Sequence, residues 1–237
     1  MPSFWEKVLV DGQEMDVFTS APSGSGPFPA VIVSQHGGGV DKFIQTICGR
    51  LAEAGFVGVA PNLFHRITEE QVQSSGLTRR ELLSDPQTIA DIDATVDWLQ
   101  NHPSIDGQRI GITGFCMGGR EAWLGAATNS NIKAAVPYYG GNIQAPWGDT
   151  TQTPYDLASG IKCPVLFHFG EVDVNPSQDD LRKYDAELTR LGISHQFYTY
   201  PGANHAFMDF TTDRYQKEAA DASWPRTLEF FSQHLKS

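Results

Sequence analysis

The 237-residue chain has little cysteine: Cys48, Cys116 and Cys163 are the whole complement, and no two lie close in sequence. That excludes a disulfide framework and a clustered thiolate zinc site. Long hydrophobic runs are also missing; none approaches the roughly 18–20 residues that span a bilayer. Cations are scarce, with 17 Lys and Arg against 28 Asp and Glu, a formal charge of −11. Bulk charge of that sign disfavours nucleic acid and anionic membranes, although one arginine can reverse the field inside a pocket. The opening "MPSFWEKVLV" lacks the basic segment and long apolar run of a secretory signal, so a reducing cytoplasm is expected. There is no internal repeat and no low-complexity tract.

What the chain does have is 40% apolar residues, enough for one sizeable core, and a length that suits a single domain over residues 1–237. "FWEKVLVDGQEMDVFTS" reads as two strands turning at Asp11-Gly12, a favoured hairpin pair. From residue 30 onward short apolar strands alternate with helical patterns. "AVIVSQ", "FVGVAPNLF", "RIGITGF", "IKAAVPYYG", "PVLFHFG" and "SHQFYTYP" are the strands. Helices are expected from Asp41 to Gly55, from Asp85-Pro86 to about His102, over "MGGREAWLGAAT" and "PSQDDLRKYDAELTRLG", and over roughly 213–235. Residues 65–85 read as irregular with a short helix, and 141–160 as a long loop. Such alternation predicts an α/β fold: a mostly parallel sheet with helices on both faces and an antiparallel hairpin at its N-terminal end. Sites in these sheets lie beyond the carboxyl ends of the strands. The loops to search follow Gln35, Ala60, Phe115, Tyr139, Gly170 and Tyr200.

One of those loops carries Gly114-Phe115-Cys116-Met117-Gly118-Gly119, directly between a strand and a helix. Glycines flanking a reactive residue on so tight a turn are the pattern of a nucleophile elbow. The helix that follows aims its first N–H groups at the sulfur and favours a thiolate. Cys48, on the apolar face of a helix, and Cys163, before Pro164, read instead as inert packing. A thiol nucleophile needs a base and a group that orients it. The later strand ends supply Glu171 and Asp173 in "EVDVNP" and His205 in "GANHAF", in the chain order nucleophile, acid, histidine. Asp173, deeper in its turn, is preferred to Glu171. The oxyanion donors are expected to be the N–H of Met117 and that of Gly37 in "HGGGV".

Taken together, G-x-C-x-G-G, an aspartate 57 positions on and G-x-x-H-x-F beginning near residue 202 resemble the dienelactone hydrolase family of α/β-hydrolases. "APNLF" followed by a basic residue, "YYG" and "FHFG-x-x-D" match as well, and the resemblance spans essentially the whole chain. It implies an α/β-hydrolase fold, no cofactor, a monomer (with a dimer left open) and a small ester or lactone as substrate. It implies Cys116 as nucleophile, His205 as base and acid, Asp173 as its orienter, and Arg66 as the holder of a substrate carboxylate. Two positions depart from the family pattern. His36 replaces a glutamate that interacts with the thiol, and Asp209 replaces a second arginine. His36 is therefore expected to donate to the sulfur, and the pocket to have one cation where the family has two. Phe64, Trp147 and Phe207 are expected to line the pocket, with 141–160 covering it. A general carboxylesterase or thioesterase, and a binding protein without turnover, remain open readings. A thiol redox enzyme is disfavoured because neither other cysteine is placed to resolve Cys116.

Overall fold

The computed structural model describes residues 2–236. Strands β1 (Ser3–Val10) and β2 (Gln13–Ser20) form the expected hairpin, turning at Asp11 and Gly12, which both have positive φ. The chain then alternates. β3 (Phe28–Ser34) leads to α1 (Lys42–Glu53) and β4 (Val57–Pro61). After a short α2 (Glu69–Ser75) and a 3-10 turn at Arg80–Leu82 come α3 (Asp85–Asn101) and β5 (Ile105–Phe115). Next are α4 (Met117–Thr128), β6 (Ile132–Tyr138) and β7 (Val165–Gly170), followed by α5 (Gln178–Arg190), β8 (His195–Tyr200) and α6 (Lys217–Leu235).

One eight-stranded sheet runs in the order β1-β2-β4-β3-β5-β6-β7-β8. β1 and β2 are antiparallel to their neighbours, and β4, β3 and β5 to β8 are all parallel. β3 sits between β4 and β5, so the connections leaving β3 and β5 diverge and open a crevice at the carboxyl edge.

Side-chain alternation along the strands divides the core in two. Ala30 and Ile32 face one side with Ile92, Val96 and Leu99 of α3, while Val31 and Val33 face the other with Ile44, Ile47 and Leu51 of α1. Asp41 caps α1, accepting from the N–H groups of Phe43 and Ile44 at 3.0 and 3.2 Å. Two boundaries move by four residues from the sequence expectation. β5 begins four residues early because Ile105 pairs with Phe28. α6 begins at Lys217 because the Gln216 N–H is tied to the Phe207 carbonyl. Among the described residues no helix is long and apolar enough to cross a membrane.

Candidate active site

β5 ends at Phe115 and α4 begins at Met117, leaving one residue to reverse the chain. That residue, Cys116, has φ 59° and ψ −117°, a conformation costing on the order of 1–3 kcal/mol for a side chain that is not glycine. The turn closes only because its neighbours have no side chains. A Cβ on Gly114 would lie 2.0 Å from the Gly118 carbonyl oxygen, and one on Gly118 2.1 Å from that of Ser34. The elbow is thus wedged against the end of β3, with its sulfur lifted off the sheet.

His205, in the turn after β8, reaches the sulfur from the far side. Its Nδ1 is 2.9 Å from Asp173 Oδ2, and Asp173 Oδ1 accepts from the Asn175 N–H at 2.9 Å. The Asp173 side chain is 1% exposed, so its charge acts on His205 without solvent screening. Glu171, the alternative, points outward and accepts from the Gly202 N–H. Burial opposes charging of His205, but its hydrogen bonds to Asp173 and Cys116 and their charges outweigh it and lift the imidazole to about 9. Burial likewise opposes a thiolate at Cys116. The hydrogen bond and charge of His205, the Met117 N–H and the Arg80 cation together outweigh that and hold the thiol below its ordinary value. Each group stabilises the charged form of the other, the condition for a resting thiolate–imidazolium pair.

The Met117 N–H belongs to the first turn of α4, where no intrahelical acceptor exists. Gly37 is exposed in the tight turn His36–Gly39, closed by a 2.9 Å bond from the Gly39 N–H to the His36 carbonyl. His36 itself departs from expectation. Its Nε2 is 2.9 Å from Asp41 Oδ2, and its ring lies edge-on to Phe43 and over Gly38. The imidazole braces the loop against the cap of α1 instead of donating to the sulfur.

A cavity of about 240 Å³ opens above Cys116, walled by Met117, Asn142, Trp147, His205, Arg80 and Arg214 among others. Trp147 is where the sequence reading put it. Phe64 stands behind the wall, buried with Leu83 and Met117 in an apolar cluster that touches Cys116. Phe207 does not line the cavity: it is fully buried in the core against Tyr139 and Tyr200. Arg66 does not reach it either. Its guanidinium is bound to Asp91, His65 and Asp11, tying the loop after β4 to α3 and the hairpin.

The cavity's cations are Arg80 and Arg214, which the sequence reading missed. Among the described residues, six other arginines ion-pair with carboxylates, and Arg50 and Arg226 lie over Trp224 and Tyr198. Among the described residues neither Arg80 nor Arg214 has a carboxylate within ion-pair distance, and both line the cavity. Their only sequence signal was the scarcity of basic residues in loops at the carboxyl edge. "TRRE" did not reveal that Arg79 pairs with Glu69 while Arg80 turns inward.

The model of the dienelactone hydrolase family matches residues 15–235. This chain belongs to that family. A Yersinia pestis protein provisionally named a carboxymethylenebutenolidase is 34% identical over 230 residues, covering 94% of this chain and 85% of that protein. A Bradyrhizobium protein provisionally named a 2-oxo-3-(5-oxofuran-2-ylidene)propanoate lactonase is 30% identical over 234 residues, covering 98% and 94%. A crystal structure from Klebsiella pneumoniae, provisionally named a dienelactone hydrolase, superposes with a TM-score of 0.86 at 30% identity, covering 99% and 100%. The architecture is the α/β-hydrolase fold.

As a dienelactone hydrolase family member, the chain handles its two departures locally. Asp209 adds no anion to the cavity, because its buried carboxylate accepts from the N–H and hydroxyl of Thr211. Behind the elbow, α4 carries two buried charged residues of opposite character. Each guanidinium nitrogen of Arg120 is bonded: a bidentate pair with Asp85 at 2.6 and 2.9 Å and bonds to the carbonyls of Asn142 and Ala145, with the guanidinium 3.9 Å above the Trp147 ring. Glu121, next in sequence, has both carboxyl oxygens buried and unpaired. Burial, the largest influence on it, holds that carboxyl well above the usual range.

Proposed function

We propose that this protein is a cysteine-nucleophile hydrolase that cleaves an ester or lactone of a small anionic substrate by acyl transfer. The observation that carries the reading is Cys116 held at φ 59° beside an imidazole that is itself anchored by a buried aspartate. The Cys116 thiolate attacks the carbonyl carbon, and the oxygen that gains charge is met by the N–H groups of Met117 and Gly37. Collapse breaks the bond to the alkoxide, which takes its proton from the His205 imidazolium. Neutral His205 then removes a proton from water as the water attacks the thioester. The acid departs, and thiolate and imidazolium are restored. Asp173 keeps Nδ1 protonated and the ring in position throughout. Arg80 and Arg214 hold an anionic group of the substrate, and cytoplasmic action as one domain fits the composition.

The test is a rapid-mixing assay with p-nitrophenyl acetate and with an ester carrying a carboxylate. A burst of nitrophenolate equal to the enzyme, an acyl adduct on Cys116 in the intact mass, and loss of both in Cys116→Ala are expected. Binding without turnover or adduct would leave a ligand-binding protein on a hydrolase scaffold.

A further inference from the structure

A second cavity, about 370 Å³, adjoins the one above Cys116 and shares Arg80, Asn142 and Trp147 with it. It is the larger of the two; Leu83, Ala145 and Pro146 with Trp147 give it an apolar side, and Glu81 and Gly148 complete a lining that is otherwise polar. An apolar strip joins the cavities from beneath, since Leu83, Met117, Trp147 and Cys116 belong to one cluster. The partition between them is built in. The Trp147 N–H donates to Asp85 Oδ2 at 2.9 Å, its carbonyl accepts from the Asp85 N–H at 2.9 Å, and the Arg120 guanidinium covers its ring. The next residue, Gly148, has φ +74° and packs so tightly on Ser84 that a Cβ would lie 2.5 Å from its hydroxyl. A wall fixed before binding adds little ordering cost when a ligand packs on it.

Charge divides the two cavities. Arg214 belongs to the reaction cavity alone, and Glu81 to the second cavity alone. Glu81 stays ionised, because hydrogen bonds from Thr78 hold its carboxyl below the usual range. An anionic group is drawn toward Arg214 and repelled by Glu81. Resting on the proposed acyl-transfer reading, we infer that the second cavity is a subsite for a flat apolar substituent of the size of an aromatic ring. The substrate is then a two-part molecule. Its scissile carbonyl and anionic group lie above Cys116, and its apolar ring lies beyond Trp147. A compact carboxylated lactone would fill only the first cavity.

Alkylation of Cys116 tests this without any turnover. Wild type is treated with iodoacetamide and with N-benzyliodoacetamide, and labelling is resolved by peptide mass. The ratio of the two rates is compared with the same ratio for glutathione. The benzyl reagent is expected to gain at least tenfold over glutathione's ratio, about 1.4 kcal/mol. Ala145→Trp and, separately, the surface change Pro146→Trp fill the second cavity and are expected to bring the ratio back to that of glutathione. A wild-type ratio equal to glutathione's overturns the subsite while leaving the thiolate reading intact. A raised ratio that both filling variants leave unchanged overturns its location. Failure of iodoacetamide itself to label Cys116 overturns the catalytic reading instead.

Discussion

Cys48 and Cys116 pack against the same apolar cluster on one side of the sheet, yet the fold treats their sulfurs in opposite ways. Cys48 sits mid-helix in α1, fully buried in that cluster, and burial drives its thiol far above the ordinary range. Cys163, at the entry to β7, is pushed up to about 12 for the same reason. Cys116 is nearly as enclosed, but it stands at a strand end. A helix N-terminus, an imidazole and an arginine are all aimed at it there, and its thiol falls below the ordinary value. Burial alone makes a thiol inert; burial with oriented positive charge makes it a nucleophile.

The sharpest way to break this contrast is to remove the sulfur. Cys116→Ala is expected to lower ester hydrolysis by at least about 10⁴-fold, while Cys48→Ala and Cys163→Ala leave the burst amplitude per folded molecule unchanged. Removing the anchor of the imidazole comes next. Asp173→Asn is expected to reduce kcat by roughly 10²–10⁴-fold. It is also expected to move the thiol's alkylation profile toward higher pH, since an imidazolium without its carboxylate is less stable. The pair's own pH response follows from His205. Its folded value, about 9, lies above the unfolded one, so its contribution to stability is complete below about pH 6.5 and fades as pH rises through 9.

Smaller effects separate the cavity's cations from the structural ones. Arg80→Ala or Arg214→Ala is expected to raise KM for a carboxylated ester by tenfold to a hundredfold, the loss of about 1.5–3 kcal/mol in charge-assisted hydrogen bonds. Neither change is expected to alter KM for p-nitrophenyl acetate by more than about twofold. Arg66→Ala is expected to lower thermal stability without that substrate dependence, and a KM effect confined to the anionic ester would reverse this assignment.

The least of these effects compares neighbours on α4. Arg120 is ion-paired to Asp85, whereas both carboxyl oxygens of Glu121 are buried without a hydrogen-bond partner. The raised carboxyl of Glu121 means that folding must keep it protonated, at a cost that grows as pH climbs above about 4.5. Glu121→Met is expected to stabilise the fold by about 1–3 kcal/mol, the penalty of a buried unsatisfied polar group. Its lead in denaturant midpoint is expected to widen from pH 5 to pH 8, and a lead that shrinks would show Glu121 to be ionised and paired.

The parts of the molecule legible in the sequence are those fixed by local rules. Alternating strands, the Asp41 cap, the Asp11-Gly12 turn and the glycines around Cys116 each carry their own steric or hydrogen-bonding reason. Asp173 and His205 could be placed because chain order and sheet edge together leave few positions. The second layer was not legible, because it depends on which partner each side chain finds across the fold. Arg66 sits next to the site in sequence but is taken by Asp91, a residue on α3 that no spacing connects to it. His36 is captured by Asp41, and Phe207 turns inward. Arg80, which faces the cavity, comes from a segment with no periodic pattern, and Arg214 from residues that read as the start of the last helix but precede it. The clamp of Arg120 and Asp85 on Trp147 joins residues from three separated stretches.

The pH dependence of iodoacetamide labelling, read separately at each of the three cysteines in the folded protein, bears most directly on the claim that position makes one thiol a nucleophile. Cys116 is expected to react fastest and to hold its rate well below pH 8.5, with Cys48 and Cys163 silent across the range. A Cys116 rate that climbs only above pH 8.5, as a free thiol's does, or labelling of Cys163 ahead of it, would contradict the account.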